Sequence, residues 1–212
     1  MQKRDILLKI YNSLNNYFGS LNWWPGDTPF EIMVGAILTQ NTSWSNVEKA
    51  INNLKKENLL EHQKLYCLNQ EELAQLIKSS GYYNIKAQRL KNFITFFIEN
   101  YSGSEKKMFS GGGEELRKEL LKINGIGPET ADSILLYAGN KPFFVVDAYT
   151  KRIFSRHRLI GEDADYHALQ DLCLKNLKKN VKLFNEFHAL LVKLGKDFCL
   201  KNKPRCAICP LR

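Results

Sequence analysis

Residues 120–131 read Leu120-Leu121-Lys122-Ile123-Asn124-Gly125-Ile126-Gly127-Pro128-Glu129-Thr130-Ala131. This pattern predicts a helix that ends at about Ile123, a hairpin in which two glycines bracket one apolar residue, and a new helix that begins with Pro128. Glycine allows a positive φ and a close approach of another backbone, so Gly125 and Gly127 favour a tight hairpin. Amides in the first turn of a helix have no helical partner and suit a phosphate. The hairpin is therefore predicted to hold a nucleic-acid backbone without reading its sequence.

The rest of the chain is also patterned as helices. Apolar residues recur at helical spacing from Ile6 to Phe18, and Thr28, Pro29 and Glu31 form a helix-start signal with a capping box. Further helices are predicted at about residues 43–56, 70–79, 84–100 and 114–122. The strand-like run at residues 143–146 is too short to define a sheet, and we expect an extended connector there. The predicted fold class is all-α.

The composition excludes several classes of protein. With 212 residues, 44% of them hydrophobic, the chain suits one or two compact domains and is too apolar for a disordered protein. No apolar run approaches the ~20 residues that cross a bilayer, and the N-terminus lacks the apolar segment of a secretory signal. We therefore expect a cytoplasmic protein without a membrane partner, in which the five cysteines are thiols or metal ligands.

The positive charge is concentrated in the last third of the chain. Residues 1–140 contain 16 Lys and Arg against 15 Asp and Glu, whereas residues 141–212 contain 15 against 7. Concentrated positive charge is what a surface that binds a polyanion needs. The charge alone is equally compatible with a solvated surface that keeps the protein soluble.

Three further segments carry a resemblance to a known family. Val145-Val146-Asp147 lies twenty residues beyond Gly127, and residues 38–42 (Leu-Thr-Gln-Asn-Thr) and 81–87 (Gly-Tyr-Tyr-Asn-Ile-Lys-Ala) precede the hairpin. Together with the hairpin they resemble the endonuclease III-like, helix-hairpin-helix superfamily of DNA base-excision glycosylases. The resemblance implies that Gln40 enters the DNA near a flipped nucleotide and that Tyr82 stands where the family inserts an apolar wedge. It also implies that the hairpin residues Gly125, Ile126 and Gly127 contact DNA.

The resemblance implies an architecture and a partner. The family fold would be a six-helix barrel at residues 27–140 and a second helical lobe formed by residues 1–26 and 141–212. Double-stranded DNA that contains a damaged base would occupy the cleft between the lobes. The protein would act as a monomer and would be associated with the nucleoid if the source is prokaryotic.

Asp147 matches the catalytic aspartate of the family. Cleavage of an N-glycosidic bond builds positive charge on the deoxyribose, and a fixed carboxylate in a water-poor site stabilises that charge. The same carboxylate can orient or deprotonate an attacking water. Asp147 is equally well placed to cap the helix that begins at Ala148, and the two roles are compatible.

Glu129 bears on the type of reaction. Bifunctional members of the family place a nucleophilic lysine two residues past the second hairpin glycine, and this chain has Glu129 there. A carboxylate cannot form an imine, so the resemblance narrows to monofunctional enzymes in which water is the nucleophile. Glu129 would then line the base pocket, or serve only as an acidic first-turn residue favoured by the helix dipole. The alternatives are a bifunctional glycosylase and lyase, and a helix-hairpin-helix DNA-binding protein without catalysis.

The tryptophans bear on the substrate. Trp23, Trp24 and Pro25 precede the predicted barrel, and Trp44 follows Gln40 by four residues. Any one tryptophan could be core, but the group resembles the segments of endonuclease III-like 3-methyladenine glycosylases. An alkylated purine such as 3-methyladenine is positively charged and stacks strongly on an indole ring. A mismatch or oxidised-base glycosylase is the alternative.

The last cysteines have the spacing of a metal loop. Cys199, Cys206 and Cys209 match the family's [4Fe–4S] loop, in which a fourth cysteine would stand at about position 215. A zinc site would also need a fourth ligand. We therefore expect a [4Fe–4S] cluster if a fourth cysteine follows residue 212, and no cofactor otherwise.

Overall fold

The computed structural model describes residues 2–23 and 26–212. None of the described residues forms a β-strand, and the prediction of an all-α fold is confirmed. The chain divides into two compact units: a central unit of residues 24–139, and a terminal unit of residues 1–23 and 140–212. None of the described helices combines the length and the apolar character that crossing a bilayer would require.

The central unit contains the helices around the hairpin. Its described helices are α2 (Pro29–Leu38), α3 (Trp44–Lys56), α4 (His62–Cys67), α5 (Gln70–Leu76), α6 (Tyr83–Tyr101), α7 (Glu105–Ser110), α8 (Gly113–Leu120) and α9 (Pro128–Ser133). A 3₁₀ turn at Lys78–Ser80 precedes α6, and a π-helical turn at Ile134–Ala138 continues α9. The four central helices predicted from periodicity are confirmed, whereas the short helices α4 and α7 were not predicted.

At the start of α2, the sequence predicted the N-cap residue correctly and the capping box incorrectly. Thr28 caps the helix by accepting from the Glu31 amide at 3.1 Å, and Pro29 is the first helical residue, as predicted. The predicted capping box is wrong, because the Glu31 carboxylate accepts from the Asp27 amide at 3.3 Å instead. The same carboxylate lies 2.8 Å from Lys55 Nζ, so an ion pair with α3 competes for it.

The terminal unit brings together the two ends of the chain. Its helices are α1 (Lys3–Phe18), α10 (Ala148–Arg156), α11 (Tyr166–Asn176) and α12 (Val181–Asp197). The rings of Phe184 and Phe187 on α12 meet the ring of Phe144 edge-on, with centroids 5.3 and 5.8 Å apart. Phe144 belongs to the connector before α10, which forms neither helix nor strand, as predicted. Gln170 Nε2 donates to the Phe144 carbonyl at 2.9 Å and holds this connector in place just ahead of Asp147.

Candidate functional site

The hairpin between α8 and α9 lies close against α6. Gly125 has a φ of +98°, and a Cβ at this position would lie only 2.2 Å from Cγ of Arg89. Gly127 has a φ of −93° and nothing within 4 Å of its own Cβ position, so it does not use the positive φ that glycine allows. A glycine is therefore needed at position 125 so that the hairpin can pack against Arg89. At position 127 the glycine leaves the outer surface of the hairpin free of a side chain. The Ile126 side chain is buried, so only its backbone is available to a ligand.

Gln40 is attached to the hairpin. Its Nε2 donates to the Gly125 carbonyl at 2.9 Å and to Thr130 Oγ1 at 3.0 Å, while Arg89 Nη1 donates to its Oε1. The side chain predicted to enter DNA thus spans the hairpin from Gly125 to the first turn of α9. Tyr82, the residue before α6, is 70% exposed and has a φ of +46°.

A buried lysine, which the sequence analysis missed, connects the two predicted DNA-probing segments. Lys86 is only 1% exposed, and its Nζ donates to the carbonyls of Leu38 and Ser80 at 2.8 and 2.6 Å. These carbonyls lie two residues before Gln40 and Tyr82, respectively. Burial, together with the nearby Arg89 charge, lowers the pKa of Lys86 to about 8. In the sequence, Lys86 falls at the same helical spacing as the buried apolar residues of α6, and this spacing could have predicted that it is buried.

An ion pair ties the two helices of the hairpin together. Arg117 of α8 donates from Nε and Nη2 to the two carboxylate oxygens of Asp132 at 2.6 and 3.0 Å, and Asp132 is fully buried. Glu129, one turn earlier on α9, is exposed in the first turn of this helix, and its carbonyl accepts from the Ser133 hydroxyl at 2.7 Å. The position at which the resemblance expects a lysine in bifunctional enzymes is thus an exposed acidic position in this chain.

Asp147 is the N-cap of α10. Its Oδ1 accepts from the Thr150 amide at 2.7 Å, which confirms the predicted cap. Its Oδ2 lies 3.6 Å from Nε2 of His188 on α12, a residue that the sequence analysis missed. Burial acts to raise the pKa of Asp147, but the interactions with His188 and Thr150 outweigh it, and the pKa lies below its usual value. The carboxylate is therefore charged at neutral pH.

The tryptophan segment is only partly described. Trp24 and Pro25, both predicted to line the pocket, lie outside the described residues. Trp23 is half-buried in the terminal unit. Trp44 is half-buried at the start of α3, and its indole Cη2 lies 3.3 Å from the position of a Cβ at Gly35 on α2. Gly35 therefore allows the Trp44 ring to approach the α2 backbone.

The cysteine loop follows α12. Burial raises the pKa of Cys209, and the nearby Cys199 and Cys206 add to this shift. Arg156 Nη1 approaches Cys199 Sγ at 3.4 Å and donates to the Leu200 carbonyl at 2.6 Å, so an arginine holds the start of the loop. Within residues 2–23 and 26–212, no group of three or more His, Cys, Asp or Glu side chains is arranged to hold a metal. Three thiols in this arrangement do not fit a [4Fe–4S] cluster, which takes four thiolates.

Comparisons with known proteins agree on one family. The family described as "HhH-GPD superfamily base excision DNA repair protein" matches residues 34–179. A Methanocaldococcus jannaschii protein named "Putative DNA repair glycosylase MJ1434" is 51% identical over 211 residues, which cover 99% of this chain and 96% of that protein.

Solved structures show the same fold. The Helicobacter pylori 3-methyladenine DNA glycosylase MagIII bound to 1,N6-ethenoadenine is 30% identical, with a TM-score of 0.78 over 92% of this chain and 98% of that one. A trapped endonuclease III–DNA covalent intermediate has a TM-score of 0.85 over 100% of this chain and 94% of that one. At 22% identity, this second likeness concerns the fold alone.

The two hairpin glycines should respond differently to substitution by alanine. We expect Gly125→Ala to lower the free energy of unfolding by about 1–2 kcal/mol, because a side chain is strained at positive φ and meets Arg89. Gly127→Ala serves as the matched control and should stay within about 0.5 kcal/mol of wild type. Urea unfolding of the three proteins measures both effects, and equal losses in the two variants would contradict this account of the hairpin.

The buried Lys86 ammonium should make stability depend on pH. The unfolded chain keeps this proton up to the usual pKa of 10.5 and the folded chain only up to about 8, so unfolding takes up a proton between these pH values. The stability of wild type relative to Lys86→Met should therefore rise with pH in this window. Denaturant unfolding across the window tests this, with Lys91→Met on the same helix as the control. A constant difference between wild type and Lys86→Met would refute it.

Proposed function

Since the chain belongs to the HhH-GPD superfamily of base-excision DNA repair glycosylases, we propose that it is a monofunctional enzyme that releases alkylated purines such as 3-methyladenine. The observation that carries the monofunctional assignment is Glu129, which occupies the position of the lyase lysine. A carboxylate cannot attack the sugar to form an imine, so water is the nucleophile. The 30% identity to a 3-methyladenine glycosylase over 92% of the chain supports the substrate class.

Asp147 is the catalytic group in this proposal. Departure of the base leaves positive charge on the deoxyribose, and the Asp147 carboxylate, charged at neutral pH, stabilises it. The Thr150 amide holds one carboxylate oxygen at 2.7 Å, so the charge is in position before the bond breaks. The carboxylate can also accept a proton from the attacking water as the sugar–oxygen bond forms.

Double-stranded DNA that contains a damaged base is the proposed partner. The exposed Gly127 has no side chain to obstruct a phosphate, and phosphate contacts hold DNA independently of its sequence. The exposed Tyr82 ring is free to enter a base stack. Gln40 would contact the DNA near the flipped nucleotide, and its hydrogen bonds to Gly125 and Thr130 hold its side chain against the hairpin.

The proposed base pocket contains aromatic and acidic residues. Trp23, Trp24, Pro25 and Trp44 are assigned to it from the sequence, together with Glu129. A methylated purine carries positive charge, which an indole ring attracts electrostatically when the site is desolvated. The half-buried Trp44 ring retains exposed area that a base could cover.

The cysteine loop has no part in the proposed reaction. The described loop supplies three thiols, and a [4Fe–4S] cluster would form only if a fourth cysteine follows residue 212. Full-length protein purified without oxygen should then contain four iron and four sulfide ions per chain and be brown. Colourless protein without iron would exclude the cluster and leave the proposed activity intact.

One assay on methylated DNA tests both which damaged base is released and whether the enzyme is monofunctional. Incubated with methylated DNA, the protein should release free 3-methyladenine and leave an abasic strand that breaks only in hot alkali. Borohydride should trap no covalent complex, with endonuclease III as the positive control for trapping. Trp44→Ala should weaken recognition of the cationic base by about 1–2 kcal/mol and affect neutral lesions less.

Two outcomes of this assay would contradict the proposal. A borohydride-trapped adduct would exclude the monofunctional reaction. Release of an oxidised pyrimidine without release of 3-methyladenine would exclude the proposed substrate class.

The role of Asp147 is tested by a matched pair of substitutions. Asp147→Asn keeps a side chain that caps helices well, so folding should persist, while single-turnover base release falls by about 10²–10³-fold. The control is Asp165→Asn, which changes the N-cap of α11, where Oδ1 accepts from the Ala168 amide at 2.8 Å. Asp165→Asn should leave the rate unchanged. Near-wild-type release by Asp147→Asn would remove it from the mechanism.

A further inference from the structure

His188 faces the second oxygen of the Asp147 carboxylate. The imidazole is only 7% exposed, and its Nε2 lies 3.6 Å from Asp147 Oδ2. The Thr150 amide already binds Oδ1 at 2.7 Å. An N-cap interaction holds one oxygen and leaves the carboxylate free to rotate about its last bond. The 3.6 Å separation is longer than a hydrogen bond, and it places the buried Nε2 where a small approach would let it donate to Oδ2 and limit that rotation.

The helices that carry the two residues are packed closely beyond this contact. A Cβ at Gly195 of α12 would lie 2.3 Å from Cδ1 of Tyr149 on α10, so only a glycine allows the ring to lie there. Arg152 Nη2 donates to the Gly195 carbonyl at 3.1 Å and its Nε to the Cys199 carbonyl at 2.7 Å. These contacts fix α10 on α12 and therefore fix the distance between Asp147 and His188.

His188 lies on the buried face of α12, which is mostly apolar and also carries the buried Asn185 one turn earlier. Phe184, Phe187 and Leu191 are its buried neighbours on this helix, and a hydrophobic side chain would fill the same space without exposing a ring nitrogen to a carboxylate. Core packing alone therefore does not require an imidazole here. The acidic group opposite it is the one that the proposed reaction uses.

We propose that His188 is a positioning residue, which orients the Asp147 carboxylate for base release through an N–H directed at Oδ2. This role rests on the proposed function of Asp147. A carboxylate oriented before the bond breaks needs no rearrangement as charge develops on the sugar. A misplacement of about 1 Å at a reacting group can cost about 10²-fold in rate.

Two substitutions separate positioning from packing. His188→Phe keeps a planar ring but removes the N–H, and single-turnover base release should fall by about 10–10²-fold with DNA affinity unchanged. His188→Gln restores an N–H donor without a ring and should recover most of the rate. Leu191→Ala is the control on the same helix, because it should lower stability by about 2–5 kcal/mol without a comparable loss of rate.

A double-substitution cycle tests whether His188 acts through Asp147. In the Asp147→Asn background, His188→Phe should cause little further loss, because residues that act as a unit are not additive. Additive losses would show that His188 acts elsewhere. A His188→Gln rate as low as that of His188→Phe, or a loss that follows melting temperature as in Leu191→Ala, would overturn the positioning role.

A second readout does not depend on the lesion. The Asp147 carboxylate can be titrated by carbon-13 NMR in the free protein, and its pKa should rise in His188→Phe and stay unchanged in Leu191→Ala. An unchanged pKa in His188→Phe would overturn the proposed contact. The wild-type protein could release no alkylated base while the pKa of Asp147 still rises in His188→Phe. That result would contradict the proposed function and would support the contact between Asp147 and His188.

Discussion

The bidentate ion pair between Arg117 and Asp132 is the constraint on which the central unit depends. Asp132 is fully buried, and removal of one partner from a buried pair costs about 3–5 kcal/mol because the other charge is left uncompensated. The pair fixes α8 relative to α9 and therefore fixes the hairpin between them. Within this hairpin Gly125 has a positive φ and lies close to the Arg89 side chain.

From the hairpin, polar contacts extend to both segments that the family resemblance marks as DNA-probing. Gln40 links the hairpin to the end of α2, and Lys86 links the end of α2 to the segment before α6. Arg89 contributes twice, because it donates to Gln40 and its charge helps to lower the pKa of Lys86. Buried polar groups of this kind are costly unless satisfied, so each contact holds its segment in one geometry. A site built this way is oriented before any ligand binds.

The terminal unit uses one carboxylate for two purposes. As the N-cap of α10, Asp147 is held by the Thr150 amide, and the same hydrogen bond favours the charged form that the proposed chemistry needs. Burial opposes that charge, and His188 offsets it. The N-cap of α10 and the charged state of the proposed catalytic carboxylate therefore depend on the same few contacts.

The local signals in the sequence were sufficient for α1, α2, the four central helices predicted from periodicity, the hairpin and the cap at Asp147, because periodicity, glycine spacing and capping depend on residues within a few positions of each other. They were insufficient where partners are distant in the chain. Glu31 binds the Asp27 amide and the distant Lys55 instead of closing its predicted capping box, and Gln40 bonds to Gly125, 85 residues away. Lys86 and His188 each fall in phase with the buried residues of their helix, which predicts burial but not the carbonyls or the carboxylate that they face. Such contacts arise only when the folded chain brings separate helices together, because desolvation then requires each buried polar group to find a partner.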